Sequence, residues 1–179
     1  MKKYQKWIDQ LGLLPHPEGG FYKETYRCDE LISAEQLPER FDQAHVFSTA
    51  IYYLLNAPNF SAFHRIKQDE LWHFYQGSPL TIHVINDSGD YQKLLLGDDP
   101  SQGQSFQQLV KAGDWFAASI CDSGAGESGA DVTNDDTYAL VGCTVAPGFE
   151  FIDFELAEKE VLLKLYPQHK GIIESLCIT

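Results

Sequence analysis

The side chains best suited to chemistry lie close together in segment 61–77, which reads SAFHRIKQDELWHFYQG. His64 falls near the end of one predicted strand, and Glu70 falls at the start of the next. If the two strands pair as a hairpin with both side chains on one face, the imidazole and the carboxyl group meet inside the sheet. A neutral imidazole beside a carboxylate can act as a general-base pair, and it is also half of a typical metal site.

The same segment contains residues whose packing and binding roles both remain open. His73 is three residues from Glu70, so in a regular strand it points to the opposite face, where a contact between sheets or subunits accounts for it. Trp72 and, further along, Trp115 are typical of core packing, but an indole ring can also stack on a ligand. The candidate ligand-binding residues are His64, Glu70, Trp72, His73 and Trp115.

Several other conspicuous residues have structural interpretations. Pro17, Gly19 and Gly20 are interpreted as a backbone device that lets the chain enter a sheet, because no phosphate-loop motif follows them. Arg27 is interpreted as an edge-strand charge, with the binding of an anionic group as the alternative. Cys143, in the middle of a predicted strand, is interpreted as a small buried apolar residue.

Most of the chain reads as short β-strands. Aromatic residues make up 13% of the sequence, and segments of alternating polarity recur at short intervals. The predicted strands are Phe21–Arg27, Val46–Leu55, Phe60–Ile66, Glu70–Gln76, Leu80–Asn86, Tyr91–Leu96, Gln104–Val110, Trp115–Ile120, Tyr138–Ala146 and Phe149–Phe154. This density of strands favours a barrel or a sandwich.

Helical periodicity appears only at the two ends of the sequence. A short amphipathic helix is predicted over 3–12, ending at Gly12, and a helical segment is predicted over 157–176. The segment Asp122–Asp136 is rich in Gly, Ser and Asp, and we interpret it as a mobile, solvated loop. The elements therefore predict one domain spanning residues 1–179.

Charge and composition restrict the possible partners. The 179 residues include 26 Asp and Glu against 13 Lys and Arg, which gives a formal net charge of −13. Such a surface repels nucleic acid and anionic membranes, so neither is expected as a partner. We find no secretory signal and no apolar run that could span a bilayer, and none of the four cysteines forms a CxxC pair. These features predict a cytoplasmic protein with reduced thiols.

Five motifs resemble a small single-domain family of unknown function within the cupin superfamily. They are the segments 16–27 (HPEGG followed by ETYR), 49–55 (TAIYYLL), 64–77 (HRIKQDELWHFYQG), 112–116 (AGDWF) and 140–151 (LVGCTVAPGFEF). They occur in order over nearly the whole chain. The resemblance implies an all-β fold with short flanking helices, in which a double-stranded β-helix, or jelly-roll barrel, encloses a small-molecule pocket.

The resemblance also bears on metal binding and catalysis. Metal-binding cupins use three histidines and one glutamate, but here Ile66 stands at the position of the second histidine and the third is missing. No cofactor is therefore expected; a divalent metal, if bound, would be held by His64 and Glu70. Cupin epimerases of deoxysugar nucleotides work without metal, which implies His64 as the base, Glu70 as its support, and Tyr52 or Tyr138 as the acid.

These observations lead to three functional hypotheses. The first is metal-independent chemistry of the isomerase or epimerase type on a carbohydrate-type ligand in the barrel. The second is non-catalytic binding or sensing of a small ligand, and the third is a metal-dependent enzyme such as a dioxygenase or isomerase. Cupins of this size usually pair, so a homodimer is expected.

Overall fold

A computed structural model describes residues 2–121 and 137–178. The predicted loop Asp122–Asp136 lies outside the described residues. The helices are α1 (Lys3–Leu11), α2 (Lys159–Leu165) and α3 (Lys170–Leu176). The strands are β1 (Leu14–Pro15), β2 (Phe21–Arg27), β3 (Leu31–Ile32), β4 (His45–Val46), β5 (Thr49–Asn56), β6 (Ser61–Arg65), β7 (Asp69–Gly77), β8 (Leu80–Ile85), β9 (Tyr91–Leu96), β10 (Gln107–Val110), β11 (Trp115–Ile120), β12 (Tyr138–Ala146) and β13 (Glu155–Leu156).

Two antiparallel sheets form the body of the protein. One has six strands in the order β1-β2-β5-β12-β7-β10, and the other has five in the order β13-β6-β11-β8-β9. From β5 to β8 each successive strand changes sheet, and the pattern resumes from β9 to β13. This winding between two facing sheets is the predicted double-stranded β-helix. Strands β3 and β4 form a separate small sheet.

Three clusters of buried side chains explain why these strands are apolar on both faces. The interior cluster includes Leu55, Ile82 and Val141, which close one end of the space between the sheets. Leu54 and Leu140 point outward from the six-stranded sheet and pack under α1. Because strands such as β5 and β12 are covered on both faces, they lack a solvent-facing row of polar residues.

The terminal helices serve as covers for the sheets. Helix α1 ends at Gly12, which adopts the left-handed conformation with φ 65°. Helices α2 and α3 pack Leu162, Ile173 and Leu176 against Phe63 on the outer face of the five-stranded sheet. No helix in the described part of the chain is long and apolar enough to cross a membrane.

The predicted strand Phe149–Phe154 is wrong. This segment contains a 3-10 turn, Phe151–Asp153, and only Glu155 and Leu156 pair with β6. The reason is the buried carboxyl group of Asp153, which contacts His45 Nε2 at 2.6 Å and accepts a hydrogen bond from Gln68 Nε2 at 2.8 Å. These contacts hold the chain in a turn, so it cannot continue as an extended strand.

The turn between β1 and β2 brings residue 18 to the mouth of the barrel. His16 N–H donates to the carbonyl of Gly20, and Gly19 N–H donates to the carbonyl of His16. The carbonyl of Glu18 accepts from Ala62 N–H in the opposite sheet at 2.8 Å. Gly19 has φ +112°, and a Cβ there would collide with the carbonyl oxygen of Phe60. Gly19 therefore allows the backbone of the turn to approach the start of β6 closely.

Replacing Gly19 by alanine is expected to lower the free energy of unfolding by more than about 2 kcal/mol, through backbone strain and the collision with Phe60. Gly171→Ala is the matched control, since that helical glycine has open space around its Cβ position. The control should be neutral or gain about 0.5–1 kcal/mol from helix propensity. Urea denaturation of both variants measures the difference. Equal stability of the two variants would contradict this role for Gly19.

Candidate functional site

A cavity of about 290 Å³ opens between the two sheets. Polar side chains at its base and aromatic side chains on its walls come from both sheets and from the β1–β2 turn. Ligand pockets in proteins typically measure about 300–1,000 Å³, so this cavity suits a small molecule. We take it as the candidate site.

His64 and Glu70 both line this cavity, but they do not meet across a hairpin. Strand β6 lies in the five-stranded sheet and β7 in the six-stranded sheet, which corrects the predicted hairpin pairing. The two side chains instead face each other across the interior of the barrel. The polar link 67–68 between their strands crosses from one sheet to the other.

The direct partner of His64 is Glu18. The Nε2 atom of His64 lies 3.1 Å from Glu18 Oε2, and both side chains are more than nine-tenths buried. Ser61 Oγ donates to Glu18 Oε1 at 2.9 Å. His64 Nδ1 lies 2.7 Å from the carbonyl of Ala62, which can only accept, so Nδ1 carries a proton.

This geometry requires one proton between His64 and Glu18. With Nδ1 protonated, Nε2 is either an acceptor facing a protonated carboxyl group or a donor facing a carboxylate. Burial raises the pKa of Glu18, and burial also lowers the pKa of His64. Both shifts move the shared proton towards the carboxyl group. The pair can thus hold a proton on Glu18 with a neutral His64 beside it.

Glu70 forms the second ionisable position in the cavity. Burial raises its pKa from about 4.5 to about 7, although His64 nearby acts in the opposite direction. The nearby Cys143 thiol and Trp72 indole act to lower its pKa, while the Glu18 carboxyl group acts to raise it, although no hydrogen bond of good geometry joins Trp72 to Glu70. A carboxyl group with this pKa can both accept and release a proton near neutral pH.

Trp72 contributes an unsatisfied donor at the same place. Its side chain is 1% exposed and lines the cavity, and its indole Nε1 makes no hydrogen bond of good geometry within the described structure. Buried polar atoms in folded proteins are nearly always paired with protein or with another molecule. Because Trp72 lines the cavity with this unpaired donor, it remains a candidate ligand-binding residue.

The mouth of the cavity is charged and aromatic. Arg27 forms ion pairs with Glu24 at 2.9 Å and with Glu150 at 2.7 Å, and its side chain is 37% exposed. These two carboxylates raise its pKa. Phe151, at 52% exposure, and Phe149 belong to the segment that Asp153 holds in a turn. Arg27, interpreted above as an edge charge, thus lies at the entrance.

Two predicted tyrosines are not at the site. Tyr52 and Tyr138 point outward from the six-stranded sheet and pack with the cluster under α1. Tyr138 Oη accepts a hydrogen bond from Trp7 Nε1 at 3.0 Å. Strand periodicity explains the correction, since the alternate residue, Tyr53, points inward and lines the cavity.

His73 and Trp115 also lie away from the cavity. His73 is on the outer face of β7, where Gln107 and Thr144 bind its two ring nitrogens, each at 3.0 Å. Trp115 packs in the cluster under α2 and α3, and the guanidinium of Arg65 lies 4.5 Å from its ring centroid. Neither is a ligand-binding residue of this cavity.

Sequence reasoning missed Glu18, His16 and Cys143. The HPEGG motif was interpreted as a backbone device, yet its carboxylate reaches the centre of the site. The only signal was a carboxylate placed between a proline and two glycines, where the backbone needs no charged side chain. Cys143 was interpreted as a small buried apolar residue, but its thiol lies beside Glu70. Burial raises the pKa of this thiol well above the usual value.

The donor set does not fit the metal site of metal-binding cupins. Both ring nitrogens of His64 are engaged, by Ala62 and by Glu18, and Ile66 lines the cavity at the position of the second histidine. Within residues 2–121 and 137–178, no group of three His, Cys, Asp or Glu side chains is arranged to hold a metal ion.

Solved structures similar to this chain have the same architecture. Protein SO0799 from Shewanella oneidensis is 36% identical, covers 99% of this chain and 98% of its own, and superposes with a TM-score of 0.82. A hypothetical protein from Leishmania major is 32% identical, with coverage of 98% for both chains and a TM-score of 0.82. A variant of oxalate decarboxylase from Bacillus subtilis shares the fold alone, at 14% identity and a TM-score of 0.51 over 90% of this chain and 36% of its own length.

Sequence comparison gives the same result. The uncharacterized protein YML079W of Saccharomyces cerevisiae is 26% identical over 167 residues, which cover 89% of this chain and 78% of that protein. The family model described as Cupin superfamily (DUF985) matches residues 5–157. Because this match includes most of the chain and the jelly-roll architecture accords with it, the chain belongs to the Cupin_5 family of the cupin superfamily.

Proposed function

We propose that this protein is a small-molecule enzyme of the isomerase or epimerase type, in which Glu70 and the His64–Glu18 pair exchange protons with a ligand in the cavity. The observation that carries the proposal is the enclosure of two separate acid–base groups in one cavity, namely the His64–Glu18 pair, with 3.1 Å between Nε2 and Oε2, and the buried carboxyl group of Glu70, whose pKa burial raises to about 7. Two proton-transfer groups in one enclosed site suit the removal of a proton at one position and its return at another.

The two groups have different roles in this proposal. Glu70 lacks a strong ion-pair partner, so its carboxylate is the base that removes a proton from carbon beside a carbonyl group. Glu18, bearing the proton shared with His64, is the donor to the developing enolate oxygen. His64 holds Glu18 in position and stabilises the carboxylate that remains after transfer. The indole N–H of Trp72 is a further donor for the ligand.

Non-catalytic binding or sensing is the second candidate. The enclosed aromatic walls and the engaged nitrogens of His64 favour it, since a site that only binds needs no free base. Both candidates require the same cavity, and they differ in whether the bound molecule exchanges protons with the protein. The proposals of a homodimer and of a cytoplasmic location are independent of this choice.

Deuterium incorporation tests the enzymatic proposal. In D2O we expect the protein to exchange the carbon-bound protons beside the carbonyl group of keto-sugars and amino-ketones for deuterium. Proton NMR measures this exchange. Exchange should increase as pH rises through about 7, because Glu70 must be ionised, and Glu70→Gln should reduce it by about 10²–10⁴-fold. Glu39→Gln, at an exposed position, is the control. Absence of exchange alongside measurable binding would favour the non-catalytic candidate.

The pKa of Glu70 can be tested without a ligand. Because the folded-state pKa of Glu70 lies above the ordinary value, this group holds more of its proton in the folded protein than in the unfolded chain between about pH 4.5 and 7. The contribution of Glu70 to stability should therefore decrease as pH rises through this window, and Glu70→Gln should gain on the order of 2–3 kcal/mol relative to wild type between pH 4 and pH 8. Urea denaturation at both pH values measures this gain. A constant difference would contradict the raised pKa.

Metal analysis tests the third hypothesis, a metal-dependent enzyme. We expect untagged protein purified without chelators to contain far less than one equivalent of any transition metal, because the two nitrogens of His64 already have partners. His64→Ala is the control, and elemental analysis is the measurement. A stoichiometric metal in the wild type that is lost from His64→Ala would make metal-dependent chemistry the leading hypothesis.

A further inference from the structure

The cavity has an excess of negative charge. Among its described lining residues, four carboxyl groups face one guanidinium, namely Glu18, Glu24, Glu70 and Glu150 against Arg27. The remaining ionisable lining groups include His16 and His64, and burial lowers the pKa of both imidazoles. Near neutral pH the His16 ring is therefore uncharged, and the His64–Glu18 pair, which shares one proton, is neutral overall. The excess negative charge comes from Glu24, Glu150 and the ionised fraction of Glu70, against the single charge of Arg27.

Arg27 is already occupied by acceptors of the protein. Its Nε and Nη2 donate to Glu24 at 2.9–3.2 Å, its Nη1 donates to Glu150 at 2.7 Å, and Nη2 also donates to the carbonyl of Phe149 at 3.2 Å. An anionic ligand would have to displace one of these carboxylates. The interpretation of Arg27 as an anchor for an anion is thus unfavourable, and the diphosphate of a nucleotide-sugar meets net repulsion.

Aromatic rings make up much of the remaining wall. They are Tyr22, Tyr53, Trp72, Phe149, Phe151 and Phe154. The faces of such rings carry partial negative charge and attract ammonium groups, most strongly where water is excluded. The unpaired indole N–H of Trp72 provides a donor for an oxygen on the same ligand. The aromatic rings, the buried carboxyl groups and the indole N–H together are therefore complementary to a particular class of ligand.

We propose that the cavity selects a small organic cation, a protonated or quaternary amine that also bears an oxygen acceptor. The ammonium group lies among the aromatic rings near Glu70, and the oxygen accepts from Trp72. This inference rests on the proposed function only in taking the cavity as a small-molecule site. The ligand inferred here is an amino-substituted polar molecule and not an anionic sugar nucleotide.

The experiment compares molecules of nearly the same shape and different charge. Choline is the cationic probe, 3,3-dimethylbutan-1-ol is its uncharged counterpart with the same hydroxyl group, and 3,3-dimethylbutanoate is the anionic counterpart. Binding is followed by the indole N–H resonances in NMR, with the Trp72 signal assigned from Trp72→Phe. We expect choline to bind about tenfold more tightly than the alcohol, as the cation–π and carboxylate contacts predict, and the butanoate to bind most weakly.

Two variants connect the preference to particular residues. Glu70→Gln should reduce the preference for choline over the alcohol, whereas Glu39→Gln, the same substitution at an exposed site, should retain it. Arg27→Met should bind choline as tightly as wild type or more tightly, because it removes the positive charge at the mouth. Thermal unfolding identifies any variant that fails to fold. If Glu70→Gln does not fold, the choline affinity of Arg27→Met tests the inference, because Arg27 lies at a partly exposed site.

Affinity should also increase with pH. Choline favours the Glu70 carboxylate, so its binding should strengthen as pH rises through about 7 and should release a proton. The groups that face Glu70 are His64 from β6, Glu18 from the β1–β2 turn, Cys143 from β12 and Trp72 from its own strand. Glu70→Gln should remove this part of the pH dependence.

The outcomes separate this inference from the proposed function. Equal or tighter binding of the alcohol or the butanoate, a loss of binding in Arg27→Met, or no choline-induced shift of the Trp72 signal would overturn the inference. Deuterium exchange on neutral ketones would then still support an isomerase. Selective choline binding without exchange on any ketone would support the inference and refute the enzymatic proposal.

Discussion

The contact between Glu18 and His64 is the constraint on which the site depends. It joins the β1–β2 turn, an extension of the six-stranded sheet, to β6 in the five-stranded sheet. The backbone supports the same connection, since Ala62 N–H donates to the carbonyl of Glu18. The side chain of Tyr53, from β5 of the six-stranded sheet, holds the turn itself by donating from Oη to the carbonyl of Gly19. One end of the barrel is thus held by a polar bridge, while the other end is closed by apolar packing.

Burying these groups has an energetic cost that the fold compensates only in part. Glu18 accepts from Ser61 and shares a proton with His64, so its burial is largely satisfied. Glu70 has weaker partners, and desolvation therefore raises its pKa to about 7. Trp72 adds an unpaired indole N–H at the same position. Incompletely satisfied groups at one place in an otherwise well-packed barrel are typical of functional sites.

A second buried polar network determines the shape of the entrance. Asp153 contacts His45 and accepts from Gln68, and this carboxylate is the reason that segment 149–154 turns instead of forming a strand. The turn directs Phe149, Phe151 and Phe154 towards the cavity. Arg27 and its two carboxylate partners complete the rim, so the entrance combines aromatic surface with net negative charge.

The sequence by itself located the strands, because local patterns encode them, and the resemblance of five motifs to a cupin family implied the jelly-roll arrangement of those strands. Alternating apolar residues and turn signals located most strands, with Tyr91–Leu96, Trp115–Ile120 and Tyr138–Ala146 matching to the residue. Gly12 was correctly identified as the end of the first helix. His64 and Glu70 were predicted to meet across a hairpin; both line the cavity, but from opposite sheets.

Only the tertiary structure decided how the site is assembled. The sequence could not show that β6 and β7 lie in opposite sheets, because a hairpin and a crossover have the same local pattern. It could not place Glu18 against His64, which lies far along the chain, since that contact depends on where a loop docks. Nor could it choose Tyr53 over Tyr52, because both sheet faces are buried and composition does not mark the inner one. Contacts between distant segments, and not local propensity, determine these features.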